Sequence, residues 1–216
     1  AGHLCAGWPL IEGRQERLKA LRRILSAVNV ALSNTCFDIA YRWLIEAQKL
    51  FNSLCESHDG EVCDAESHET TRLLTVDEER GMRKFILSGL VKSAWKSHQC
   101  EVALKILNDQ VLPYLEWTQD ERIGFLRTQS LILNQIGHYQ SAYAPAFEAL
   151  RLLDHPMEYS YDMEDVGREV RCLIVMMDER GGVECVNELS DCTSSKHSLA
   201  TAILMDLVPM GYLSQN

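Results

Sequence analysis

The sequence predicts an all-α chain built from antiparallel helix pairs stacked side by side as an α-α superhelix. Three observations predict it. A bulky residue followed three positions later by a small one, in front of a second helical segment, recurs at Phe37/Ala40/Ala47, Cys100/Ala103, Gly137-His138-Tyr139/Ala142/Ala149 and Gly181-Gly182-Val183/Val186. Glycine and proline are sparse, 12 and 5 of 216 residues, too few for a turn-rich sandwich. No convincing alternation of apolar and polar residues marks a strand. Helix pairs that recur along a chain bury their apolar faces on one another, and the usual work of such stacks is to hold other proteins.

Each element follows from spacing. Between Ile11 and Leu32, apolar residues at 18, 21, 24, 25, 28 and 32 recur every three or four positions, one face of a helix. Asn34-Thr35 breaks it. Phe37, Ala40, Tyr41, Leu44, Ala47 and Leu50-Phe51 then continue the period as a second helix. Glu56 to Glu79 differs, with nine acidic residues against the single base Arg72 and no period. Residues 56–74 therefore read as an acidic, disordered insertion within one helical-repeat domain spanning 11–208. Thr75 to Glu78 has the form of a capping box, in which side chains satisfy free amides at a helix start.

Phe85 to Trp95 forms the next helix, and Val102, Ala103, Ile106, Leu107, Val111 and Leu115 its partner, with Pro113 near the end. Thr118 to Glu121 is a second capping box, opening a helix through Ile136 that Gly137 stops. Ser141 to Leu153 pairs with it. Pro145 inside that helix removes one backbone donor and should bend it. Met163 to Met177 follows, ended by Gly181-Gly182. Val183 to Leu189 is short, and Leu199 to Val208 is a final amphipathic helix placed to close the stack.

Composition excludes several function classes. A net charge of -10 disfavours nucleic acid as the main partner, since phosphates repel an acidic surface. No apolar run approaches the roughly 18 residues of a membrane span. Ala1 to Leu10 lacks the basic and apolar blocks of a secretory signal, so the expected compartment is intracellular, cytoplasmic or nuclear. The missing initiating Met suggests a processed chain or a piece of a longer one. The eight cysteines sit mostly in helical patterns as small apolar residues, which predicts reduced thiols. There is no phosphate-binding loop, dinucleotide fingerprint, His-Glu-x-x-His or Gly-x-Ser-x-Gly, so no enzyme, catalytic residue or cofactor is expected.

The third unit resembles a tetratricopeptide repeat. That family carries a glycine and an aromatic at the turn, an alanine three later where the helices touch, and a second alanine seven further on. Gly137, Tyr139, Ala142 and Ala149 follow that order. The other copies are degenerate, and the turns at 35, 98, 137 and 181 are spaced unevenly against roughly 34 for a regular repeat. The resemblance covers about residues 15–190. It implies that the first helix of each pair lines a concave groove. Registering the units on their turns then places Arg22 and Asn29, Ser88 and Lys92, Arg127 and Asn134, and Arg168 and Arg171 on that face, with Trp95 beside them. Guanidinium groups take carboxylates and Asn clamps a peptide backbone, so the implied partner is a protein presenting an acidic segment or a C-terminal carboxylate.

Alternatives stay open. Exposed arginines are common, so these residues also fit an ordinary solvated face. The chain also fits a structural subunit of a larger complex, used through its edges or convex face. Cys55, His58, Cys63 and His68 have the two- and four-residue gaps of a small zinc module, but not its residue order. Trp95, Trp117, Tyr114 and Tyr139 fall near helix ends, where packing is their usual role. Met176-Met177 and Met205 read as core filling.

Overall fold

A computed structural model describes residues 1–56, 74–155, 171–172, 174–176, 178–179 and 194–213. Its elements are α1 (Gly2–Gly7) with a 3-10 turn (Trp8–Leu10), α2 (Arg14–Ser33), α3 (Phe37–Glu56), α4 (Val76–Lys96), α5 (Cys100–Ile106) running into a π turn (Leu107–Val111), α6 (Gln119–Gln135), α7 (Tyr139–Leu152) and α8 (Ser195–Leu213). No strand occurs among the described residues. No helix among them is long and apolar enough to cross a membrane. The chain divides into two compact units, Ala1–Thr118 and Gln119–Asn216.

One reversal is used three times. α2, α4 and α6 each end on a residue in the left-handed region: Thr35 at φ 57°, His98 at φ 61° and Gly137 at φ 83°. The next amide then bonds a carbonyl five residues back, Cys36 to Ala31 at 2.8 Å, Gln99 to Ala94 at 2.9 Å and His138 to Leu133 at 2.9 Å. The left-handed residue itself bonds three back, to Leu32, Trp95 and Asn134. These paired bonds satisfy carbonyls that a helix end would leave open. The following helix starts two residues after the left-handed position in every case, at Phe37, Cys100 and Tyr139. α7 ends the same way, with Asp154 at φ 65° and His155 bonded to Leu150 at 3.0 Å.

Five residues beyond each left-handed residue stands an alanine with no exposed surface: Ala40, Ala103 and Ala142. An alanine there lets the two helix axes approach closely. At the third hairpin the approach is measurable, because the Ser130 hydroxyl on α6 donates to the Ala142 carbonyl on α7 at 2.8 Å. The facing positions of the first helices are buried too, at Val28, Val91 and Ser130, and one level lower at Ile24, Leu87 and Leu126. In the first unit α3 packs against both α2 and α4. Gly89 on α4 sits so close to α3 that a Cβ there would lie 3.0 Å from Leu44 Cδ1. In the second unit α8 lies against α6 and α7, burying Ala200, Ile203 and Leu207 at helical spacing.

Several expectations are corrected. The helical domain expected from residue 11 has helical structure before it: α1 and its 3-10 turn dock on α3, where Trp8 Nε1 donates to Glu46 Oε2 at 3.1 Å. The helix expected through Leu115 stops at Val111. The Leu112 amide bonds Leu107 five residues back, which widens the last turn, and Trp117 Nε1 takes the Val111 carbonyl at 2.7 Å. Leu115, beyond that turn, is 90% exposed, and Val102 near the start of α5 is 38% exposed, so neither belongs to the core. Met176 and Met205 are also exposed rather than core filling, since α8 turns its 200/203/207 face inward and Met205 away from it. The capping box at Thr75 forms as expected: Glu78 N donates to Thr75 Oγ1 at 3.2 Å and Thr75 N to Glu78 Oε2 at 3.1 Å. α7 runs through Pro145 without interruption. The acidic segment 57–73, the turn at Gly181-Gly182 and the helix expected over Val183–Leu189 lie outside the described residues.

The shared turn gives substitutions of opposite sign. A left-handed non-glycine residue costs roughly 1–2 kcal/mol, and glycine returns part of that as chain entropy, so Thr35→Gly and His98→Gly stabilise by roughly 0.5–1 kcal/mol while Gly137→Ala destabilises. Ala142→Leu forces α6 and α7 apart and costs about 1–3 kcal/mol. Urea unfolding midpoints at constant slope read all four.

Candidate functional site

The residues expected on the groove face are divided between the two units. In the first unit Arg22 and Asn29 lie seven apart on α2, and Ser88, Lys92 and Trp95 lie on one side of α4. Arg22 is not available as a lone cation: its Nη2 is 3.0 Å from Glu78 Oε1, joining α2 to α4. The Glu78 carboxyl is held below the usual range first by the Thr75 backbone amide and further by Arg22. Asn29 and Lys92 are exposed. The Ser88 hydroxyl donates within its helix to the Phe85 carbonyl at 3.3 Å. Trp95 is half-buried, with Lys96 Nζ 4.2 Å from its ring centre.

In the second unit Arg127 and Asn134 lie seven apart on α6. Arg127 Nε is 2.6 Å from Asp206 Oδ2 of α8, with the two side chains 32% and 24% exposed. That guanidinium ties α8 to the hairpin. Asn134 is half-buried, and its Oδ1 is fully buried with no hydrogen-bond partner among the described residues. Arg171 is exposed, and Arg168 lies outside the described residues. Where α7 meets α8, the His155 and His197 rings stand 5.2 Å apart and Lys196 Nζ is 3.5 Å from Asp154 Oδ2.

Sequence reasoning missed a cleft of about 280 Å³ in the first unit, between α3, α4 and the π turn. Its apolar part is Phe51, Ile86 and Leu87, all buried. Over Phe51 lies the Arg83 guanidinium, 5.1 Å from the ring centre, with Nη2 3.2 Å from Glu79 Oε1 one turn back. Gln48 on α3 donates to Gln110 on the π turn at 2.7 Å and bridges one side. Tyr114 completes it, its hydroxyl bonded to Glu116, whose other partner is Arg80 at 2.9 Å. Partial burial first, and the Glu116 bond second, push the Tyr114 hydroxyl up to about 12. The widened turn positions Gln110 on this side while keeping Leu107 and Val111 fully buried.

Of the four residues with zinc-module spacing, only Cys55 is described. Its Sγ is 3.8 Å from Glu79 Oε1, and burial, then the Glu79 charge, raises the thiol above its ordinary value. His58, Cys63 and His68 lie outside the described residues. Among those described, no three His, Cys, Asp or Glu side chains converge as metal ligands. Cys5, Cys36, Cys55, Cys100 and Cys172 are free thiols.

No family model, curated protein or solved structure matches this chain.

Tyr114 makes the cleft sensitive to alkali. Its folded value, about 12, lies above the ordinary tyrosine value of 10.0, so the folded state holds the proton more tightly. The stabilisation is full below pH 10 and is lost as pH rises toward 12. Tyr114→Phe removes a tyrosinate phase near pH 12 in an absorbance titration and flattens the alkaline loss of stability over that window.

Proposed function

We propose that this chain is a protein-interaction scaffold of the tetratricopeptide type, which binds a partner without chemistry. The observation that carries the reading is the threefold reuse of one hairpin, with a left-handed residue at 35, 98 and 137 and a buried alanine five positions on. In the first unit the second hairpin packs on the first through α4 against α3, and a stack of such hairpins presents a preformed surface on which a peptide orders without the protein reorganising. The expected partner is an acidic segment or a C-terminal carboxylate, taken on the face of the first helices.

The charges on that face divide into two kinds. Arg22 and Arg127 hold carboxylates of their own chain, which suits them to fixing helices. Lys92 and Arg171 are exposed, and among the described residues neither is held by a carboxylate. They are the cations best placed to meet a partner, with Asn29 and Trp95 supplying an amide and an aromatic surface on the first unit.

Affinity capture of the full chain with cross-linking mass spectrometry reports the partner and the face it uses. Lys92→Glu combined with Arg171→Glu is expected to lower recovery of the cross-linked partner by about tenfold or more, equivalent to about 1.4 kcal/mol of binding, at unchanged helical content. Full recovery by the double variant removes the reading.

A further inference from the structure

We infer that the cleft between α3, α4 and the π turn is a second binding site, which takes the C-terminal residue of a peptide, an apolar side chain followed by a free carboxylate. The inference stands apart from the proposed face of the first helices. Arg83 and Lys92 are nine residues apart on α4, which at about 3.6 residues per turn sets them on opposite sides of that helix.

Each part of such a ligand has a counterpart. Phe51, Ile86 and Leu87 supply an apolar floor, and about 280 Å³ suits one aliphatic side chain with its terminal group. Arg83 supplies the charge. It is fixed from two directions, stacked over Phe51 and bonded through one nitrogen to Glu79. A guanidinium carries five N–H donors, so donors remain for a carboxylate. The bridged amides of Gln48 and Gln110 keep one carbonyl and one NH2 group with bonding capacity, the pair needed to clamp a peptide bond.

The local charge agrees. The chain as a whole is acidic, yet this part of α4 carries Arg80, Arg83 and Lys84 within five residues. Of the nearby acids, Glu116 is already held by Arg80 and Tyr114, and bonding to that pair keeps its carboxyl below the usual range. Glu79 is the remaining anion in contact with Arg83, and it is an internal competitor for the site. Substituting it therefore has an unusual sign: it strengthens binding.

The test uses isotope-labelled full-length chain, titrated by NMR with the peptide acetyl-Gly-Ser-Gly-Leu as free acid and as C-terminal amide, and separately with sodium acetate. The free acid is expected to shift the side-chain amides of Gln48 and Gln110 saturably, and the amide to bind about fivefold or more weakly. Glu79→Gln raises affinity for the acid about threefold, a gain that misfolding cannot produce. Arg83→Gln abolishes the preference of acid over amide. Equal binding of acid and amide, shifts confined to residues outside the cleft, no saturable shift, or an intact preference in Arg83→Gln each overturns the inference. Acetate that reproduces the peptide's shifts at the same concentrations also overturns it, because the site then reads only the carboxylate.

Discussion

Where two helices of a pair meet, the backbone of one comes within reach of side chains on the other, and that distance sets much else. The Ser130 hydroxyl reaches the Ala142 carbonyl at 2.8 Å, across an interface where the second helix presents only a methyl group. Ala40 and Ala103 occupy the same place in their hairpins. The turn is the other half of the constraint. A left-handed residue followed by a bond spanning five residues brings the chain round in a fixed number of steps, so the alanine always arrives opposite the buried position on the preceding helix. Glycine relieves strain at one of these turns, and threonine and histidine tolerate it at the others. The strain is held because the packing on either side over-determines the turn.

Packing between hairpins follows different chemistry. In the first unit Gly89 admits α4 onto Leu44 of α3, and Arg22 with Glu78 joins α2 to α4 at the surface. An exposed pair of this kind contributes little to stability, so the apolar contact dominates there. In the second unit α8 covers the α6–α7 hairpin with Ala200, Ile203 and Leu207, and Arg127 with Asp206 orients it. Charges expected to face outward are in part devoted to holding helices together.

Much of this was legible in the sequence. Apolar spacing located α2 to α4 and α6 to α8, and the small residues at 40, 103 and 142 marked the contacts, because a position that excludes large side chains leaves a trace in residue type. The π turn left a fainter trace. Ala47 and Ala149 stand seven residues after Ala40 and Ala142, but the seventh residue after Ala103 is Gln110, with Val111 buried next to it. That misfit is the extra residue of the widened turn. α1 had no such signal, since a six-residue helix shows no period and is held by Trp8 and its docking on α3. Ion pairs were illegible for another reason: Arg22 and Glu78 are 56 residues apart and Arg127 and Asp206 are 79 apart, and only the fold joins them. The cleft is assembled from three elements, one of them the π turn, so no local pattern announced it.

The account rests on the three reversals being copies of one bonded turn. Residue-resolved hydrogen exchange of the Cys36, Gln99 and His138 amides tests that most directly, since each is bonded to a helix carbonyl five residues back. The account predicts that all three are protected to the same degree as helical amides in the adjoining last turns. Exchange of any of them at the rate of an open loop would contradict it.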